Sequence, residues 1–236
     1  MNWRCSSDNP DRQEASELDT PPEGSRTTRR DRYQNFRMLR RSEPTSAFRI
    51  AVHRRPSPVA VIAPHGGKIE RGTSAIAVAI AASDYCLYSF EGRKPARNRD
   101  LHITSTHFDE PRCLRLISVC DHVVAIHGCK GDEQLVYLGG RDLVLGIAIR
   151  EYLHAAGIMT GNHDNPNLKG TDPNNICNRG RRRKGVQLEI TSGLRSSLMA
   201  VGPYERTPSL AALSSAVRLA INTIVGRDLG VREDLH

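Results

Sequence analysis

The 236-residue sequence lacks any long apolar run; the longest, Ala75 to Ala82, has eight residues, against the roughly 20 that a membrane-spanning helix needs. No transmembrane helix is expected, and no membrane partner. The first twenty residues mix Arg4, Asp8, Asp11, Arg12, Glu14 and Glu17 with Ser and Pro. They hold no apolar h-region, which argues against a secretory signal and for a cytoplasmic location. No Cys-x-x-Cys pair occurs among the cysteines at 5, 86, 113, 120, 129 and 177, so a cysteine zinc site or a thioredoxin-like motif is excluded and small buried thiols are expected. There is no repeat of fixed period and no strong basic stripe. Net charge is +8, and residues 1–58, with twelve Arg and eight acids, carry half of it. That balance disfavours a dedicated nucleic-acid binder and permits a polyanionic partner.

What is present is ordinary globular composition, 38% hydrophobic and 25% charged, with a sharp change along the chain. Apart from Met1, residues 1–30 contain only Trp3 and Leu18 as bulky apolar side chains, too few to offset the entropy of ordering, and read as a disordered extension. Residues 31–236 read as one domain. Tyr33, Phe36 and Leu39 have helical spacing within Asp31–Arg41, and Phe48–Val52 is a short strand candidate. Further strands are expected at Val59–Ala63, Tyr85–Phe90, Leu101–Thr104, His122–Ile126, Gln134–Leu138 and Val186–Ile190. Helices are expected at Thr73–Ala82, Pro111–Val119, Asp142–Ala156 and Ser209–Val225, with Thr73 as an N-cap and its apolar helix buried all round. The alternation is that of an α/β fold, a mixed sheet flanked by helices. Gly157–Lys184, rich in Gly, Asn, Asp, Pro and Arg, reads as a long functional loop.

Chemistry concentrates where strands end. Val59–Ala63 runs into Pro64-His65-Gly66-Gly67, with Glu70 five residues beyond His65. Ligands of open α/β sheets gather at that edge, and the two glycines permit a reversal that lets His65 and Glu70 face one point. His122–Ile126 likewise runs into His127-Gly128. A single His after a strand is ordinarily a hydrogen-bonded structural residue. Two with a nearby Glu form a His₂Glu set, which holds catalytic zinc in thermolysin and carboxypeptidase A with one position left open. Alternation in Val186–Ile190 puts Gln187 and Glu189 on the face opposite Val186, Leu188 and Ile190. No HExxH helix supplies a base, so Glu189 is the candidate; the competing reading is an edge-strand Glu paired with an Arg. Arg181–Lys184 reads as a solvated charge run. Arg179, between Asn178 and Gly180, has a fork suited to a carboxylate; Arg141 and Arg195 are weaker candidates. His102 and His107 flank Thr104-Ser105-Thr106 and serve equally well as loop hydrogen-bonders.

His65-Gly-Gly-x-Ile-Glu70-x-Gly-Thr-Ser74, Leu101-His-Ile-Thr-Ser-Thr-His-Phe-Asp-Glu-Pro111, Ile126-His127-Gly128, Tyr137-x-Gly-Gly-Arg-Asp142, Asn175-Ile-Cys-Asn-Arg179-Gly and Gly185-Val-Gln-Leu-Glu189 together resemble the poly-γ-glutamate hydrolase family, over about residues 31–225. Members occur in bacteria and phages, and some carry the label phage-related replication protein. The resemblance implies a zinc-carboxypeptidase-like mixed α/β sheet and one Zn2+ held by His65, Glu70 and His127, with Glu189 as general base. Asn178 and Arg179 are similar to the pair with which zinc carboxypeptidases hold a substrate carboxylate, although here they follow the last His ligand. Four residues separate His65 from Glu70, as in the family and unlike the two of carboxypeptidases, and Ala75 stands where the family often has Glu.

The expected activity is hydrolysis of γ-glutamyl amide bonds of poly-γ-glutamate, by a monomer in the absence of any sign of assembly. The alternatives are a polyanion- or nucleic-acid-associated protein built on Arg179–Lys184 with a structural metal, and a zinc peptidase acting on another amide bond.

Overall fold

The computed structural model describes residues 31–200 and 208–233; the extension expected over residues 1–30 lies outside them. Seven strands form one mixed sheet in the order β1-β3-β2-β4-β7-β5-β6. They are β1 (Phe48–His53), β2 (Val59–Gly67), β3 (Cys86–Gly92), β4 (His122–Cys129), β5 (Leu135–Gly140), β6 (Met159–Gly161) and β7 (Val186–Thr191). β3, β2, β4 and β7 run parallel at the centre. β1 is antiparallel to β3, and β5 is antiparallel to β7 and parallel to β6. The expected mixed α/β sheet is thus what forms. Inner parallel strands are covered on both faces, which is why β2 and β7 are almost wholly buried.

Each face has its own core. On one, Val61, Ala63, Val124, Ile126, Leu188 and Ile190 meet the helices α2 (Thr73–Ala81), α4 (Leu143–Ala155), α5 (Ser192–Met199) and α6 (Leu210–Glu233). On the other, Ala60, Ile62, Tyr88, Phe90, Val123 and Ala125 meet α1 (Phe36–Ser42), α3 (Pro111–Ile117) and the segment carrying Leu101, Ile103 and Phe108. Side-chain acceptors start several helices: Asn35 accepts from Met38, Glu110 from Cys113 with Pro111 behind it, Asp142 from Leu145 and Thr191 from Leu194. Removing a fully buried Ile or Leu from either core costs about 2–5 kcal/mol.

Several expectations need correction. Leu101–Thr104 is not a strand: a 3₁₀ turn over Asn98–Leu101 leads into irregular chain, and Leu101 and Ile103 are buried from a loop. Gly72, at φ +93°, occupies the N-cap position of α2 and Thr73 is its first residue, with Thr73 Oγ1 donating to the Glu70 carbonyl at 2.8 Å. That helix is not buried all round, since Val78 is 50% exposed. The chain does not reverse at Gly66-Gly67; β2 runs through both. β7 is an inner strand, so Glu189 is no edge residue. The loop Gly157–Lys184 contains the strand β6 and two 3₁₀ turns, and α5 forms where none was expected. The described cysteines, 86, 113, 120, 129 and 177, are free and buried, as expected.

Candidate metal centre

His127 and Glu189 are register partners on β4 and β7, so their side chains leave the same face as Val123, Ala125 and Gln187. Strict alternation from Val61 and Ala63 would send His65 to the other face. Between Ala63 and Gly66, however, β2 advances one residue further than β3, and this bulge turns His65 over. Its ring then lies 4.9 Å from that of His127 and 4.0 Å from that of His102. The glycines after each His have steric reasons. A Cβ on Gly66 would collide with the Ser74 hydroxyl, and one on Gly128 would lie 2.7 Å from the Arg195 guanidinium.

His65, Glu70 and His127 bring one donor atom each to a buried point. His65 Nδ1 is 3.2 Å from Glu70 Oε1 and 3.1 Å from His127 Nδ1, and His127 Nδ1 is 3.8 Å from Glu70 Oε2. A tetrahedral ion with bonds of 2.0–2.2 Å requires donor separations of roughly 3.3–3.6 Å, so the spacing fits a small divalent cation. Protonation fits as well. His65 Nε2 faces the Ile103 carbonyl at 2.8 Å; a carbonyl only accepts, so the proton sits on Nε2 and the Nδ1 lone pair faces inward. Burial, then the His65 imidazole, holds the His127 pKa down at about 3, keeping a neutral ring. Burial opposes the charge of Glu70, yet attraction to the protonated forms of His65, His127 and His102 outweighs it and holds its pKa down at about 2. Glu70 Oε2 also accepts the Gly128 N–H at 2.8 Å.

Glu189 is 4% exposed. Burial first, then the Glu70 charge, pushes its pKa well above the usual carboxylate range. Its Oε1 accepts from Gln187 Nε2 at 2.9 Å, and Gln187 Oε1 accepts from Asn175 Nδ2 at 2.9 Å. Every orientation in this chain is determined: Asn175 Oδ1 accepts the Cys177 N–H and Gln187 Nε2 also donates to the Leu168 carbonyl. Asn175 and Gln187 were not singled out in the sequence, although the position of Gln187 two residues before Glu189 on one strand face was the available signal.

The other candidates divide. Asn178 is fully buried, its Nδ2 donating to the Gly170 and Asp172 carbonyls while its Oδ1 accepts from Arg141 and Gly185 N–H groups. All its capacity is spent on backbone, so it pins the loop and has nothing to offer a substrate. Arg179 Nη1 donates to the Phe108 carbonyl at 3.3 Å, beside a ring that packs against His65 at 6.2 Å. Arg195 is held by three carbonyls, those of Ile190, Arg71 and Cys129, and the Arg141 side chain is exposed. Arg181–Lys184 is not merely solvated. Arg181 grips Asp121 through two bonds, and Arg182 meets Asp228 at 3.0 Å beside His122, at the far end of β4 from His127. His107 is exposed. His102 donates Nδ1–H to Asp31 at 2.6 Å while stacking on His65. Arg99, half-exposed, reaches within 3.7 Å of Glu70 Oε1. It belongs to a second Asn-Arg pair, Asn98-Arg99, which precedes His127 in the chain, whereas Asn178-Arg179 follows it.

Fold and site together define an α/β enzyme whose polar groups converge at the carboxyl edge of a mixed sheet. The sequence model of the poly-gamma-glutamate hydrolase family matches residues 33–210, and the chain belongs to that family of hydrolases. UPF0714 protein YndL of Bacillus subtilis (strain 168) is 40% identical over 173 residues, covering 72% of this chain and 68% of YndL. A bacteriophage poly-gamma-glutamate hydrolase structure superimposes with a TM-score of 0.77 at 32% identity, over 84% of this chain and 99% of that one. A zinc-free apo structure of YndL gives 0.75 at 35% identity, over 82% and 98%.

Proposed function

We propose that this protein, through residues 31–236, is a zinc-dependent hydrolase that cleaves γ-glutamyl amide bonds of poly-γ-glutamate. The observation that carries the reading is the convergence of His65, Glu70 and His127 on one buried point, on the sheet face that also presents Glu189. Family membership supports the substrate, and the existence of a zinc-free form of YndL supports zinc as the ion. When bound by His65, Glu70 and His127, zinc supplies Lewis acidity toward a carbonyl and a water molecule.

The chain's own groups do the rest. Gln187 commits Glu189 Oε1 as an acceptor, leaving Oε2 to take a proton from water and return it to the departing amine. A carboxyl whose pKa is raised by burial suits that exchange, because it holds the proton between the two steps. Arg99 is the half-exposed guanidinium nearest the three donors and is assigned to a glutamyl α-carboxylate; Arg179, turned toward Phe108, is placed one shell further out.

Elemental analysis of the purified full chain, together with release of glutamate oligomers from poly-γ-glutamate with and without a chelator, tests the reading. One zinc per chain and chelator-sensitive cleavage are expected. Zinc with cleavage of another amide bond only would overturn the substrate, and unimpaired cleavage by metal-free protein would overturn the mechanism. Within Arg179–Lys184, the run on which the binding-protein alternative rests, Arg181 and Arg182 are engaged with Asp121 and Asp228, which favours the hydrolase reading.

A further inference from the structure

A groove of about 680 Å³ lies between α1, β1 and α3, away from the metal centre, with Phe36, Phe48 and Ile50 as apolar wall and Arg40, Arg112 and Arg115 along its sides. We propose that it is a second binding site for the polyanionic substrate, an exosite that holds a stretch of poly-γ-glutamate while a bond a few residues along the same chain is cut; the proposal rests on the substrate reading above.

Three observations carry it. The first is charge. The acids at the groove are already engaged: Glu43 accepts from the Lys94 ammonium and the Tyr33 hydroxyl, and Glu110 from the Cys113 N–H and Arg112 Nε. Neighbouring Asp109 accepts the Phe36 N–H at 2.6 Å. Among the described residues no carboxylate is paired with Arg40 or Arg115, and both are exposed. Two free guanidinium forks, with the outer nitrogens of Arg112, therefore face solvent over an apolar wall.

The second is position. Phe48 pairs with Gly92, and Gly92 pairs with Gly67, two residues beyond His65. The groove thus opens at the same sheet edge as the metal centre, two strand spacings or about 10 Å along it. The sheet face between them is filled by packed core rings, Phe48 to Phe90 at 5.2 Å, Phe90 to Phe108 at 6.0 Å and Phe108 to His65 at 6.2 Å, with Phe90 and Phe108 fully buried beneath the surface a polymer would cross. The third is chemistry. A γ-linked glutamate repeat puts two methylenes in the polymer backbone and leaves its α-carboxylate outside. Methylenes suit Phe48 and Ile50, both half-buried, and carboxylates suit the arginines. The flanking helix α1 adds Arg37 and Arg41, both exposed.

The experiment compares the wild-type full chain with R40E/R115E on long poly-γ-glutamate and on a short γ-glutamyl oligomer that fills the metal centre alone. KM for the long polymer should rise roughly tenfold or more, the equivalent of losing one good charge-assisted contact. The turnover number and the kinetics on the oligomer should stay unchanged, and R40Q/R115Q should fall between. An unchanged KM on the long polymer, or an equal rise on both substrates, overturns the exosite. If the wild type cleaves neither substrate, the substrate reading fails separately, and the groove is then read by fluorescence anisotropy of labelled poly-γ-glutamate. Weaker binding by R40E/R115E supports the site and equal binding overturns it. Loss of binding to a single-stranded oligonucleotide with polyglutamate binding intact would also overturn it, in favour of a nucleic acid.

Discussion

His127 and Glu189 sit opposite each other on neighbouring parallel strands, β4 and β7, as Cα register partners. On the far side of β7, Tyr137 of β5 is the antiparallel partner of the same Glu189, so three polar side chains form a row across one face. The proposed base and one of the three metal donors are therefore carried by inner strands of the sheet, whereas Glu70 comes from the turn that follows β2. A strand held on both sides cannot slide without flipping every side chain it carries, and that rigidity is what a proton-transfer geometry requires.

Replacement of Glu189 by Gln keeps the shape of the side chain and removes its capacity to take a proton. Turnover should fall by about 10²–10⁴-fold, while zinc content and melting temperature stay near wild type. Steady-state kinetics beside elemental analysis of the same preparation checks this. A variant that hydrolyses normally would remove Glu189 from the role of base.

Gln187→Leu separates positioning from chemistry. It deletes the donor to Glu189 Oε1 and leaves Asn175 Nδ2 buried without its acceptor. An orphaned buried polar group costs about 1–3 kcal/mol, which a denaturant titration measures. The turnover number should drop with little change in KM, because the substrate still binds but meets a carboxylate free to rotate. A pure stability loss with unaltered turnover by the folded fraction would mean that the contact is only structural.

Much of this arrangement was legible in the sequence, and the misses have physical causes. The inner strands read as apolar runs because parallel strands are buried on both faces, and the two His-Gly signals point to places where the chain packs too tightly for a Cβ. Leu101 and Ile103 alternate like a strand, but their burial comes from a loop packed under α1 and α3, a context that periodicity cannot express. β6 has only three residues and α5 reads SGLRSSLM, a polar stretch held by the Thr191 cap and by Leu194 and Leu198. The bulge that turns His65 over leaves no mark on apolar pattern. The Asn-Arg pair occurs twice, and only distance to Glu70 distinguishes Asn98-Arg99 from Asn178-Arg179.

His127→Ala removes one of three donors. The remaining pair, His65 and Glu70, cannot close the site, and zinc should fall from about one per chain to a small fraction after dialysis. Full occupancy would remove His127 from the ligand set. His102→Ala is the useful contrast: its ring stacks on His65 and bonds Asp31, so it should lower affinity by 10–100-fold, in the range of groups that orient ligands, without abolishing binding.

Glu43 offers a test of the fold away from the metal. Its burial works against the charge, but the Lys94 ammonium and the Tyr33 hydroxyl outweigh it and hold the carboxyl below its ordinary value of 4.5. Tyr33 shows the reciprocal effect: burial, then the Glu43 acceptor, pushes its pKa up to about 12. A carboxylate whose pKa is lower folded than unfolded binds fewer protons in the native state, so it stabilises the fold above the unfolded value. That contribution shrinks as pH falls from about 5 through the folded pKa, and at neutral pH it is fully present. In Glu43→Gln the titrating group is gone. The variant should be less stable than wild type at pH 7, and the difference should narrow as the pH is lowered below 4.5. Melting curves of both proteins at matched ionic strength between pH 7 and pH 3 measure it. A difference that stays constant with pH would show that Lys94 and Tyr33 hold Glu43 by shape rather than by charge.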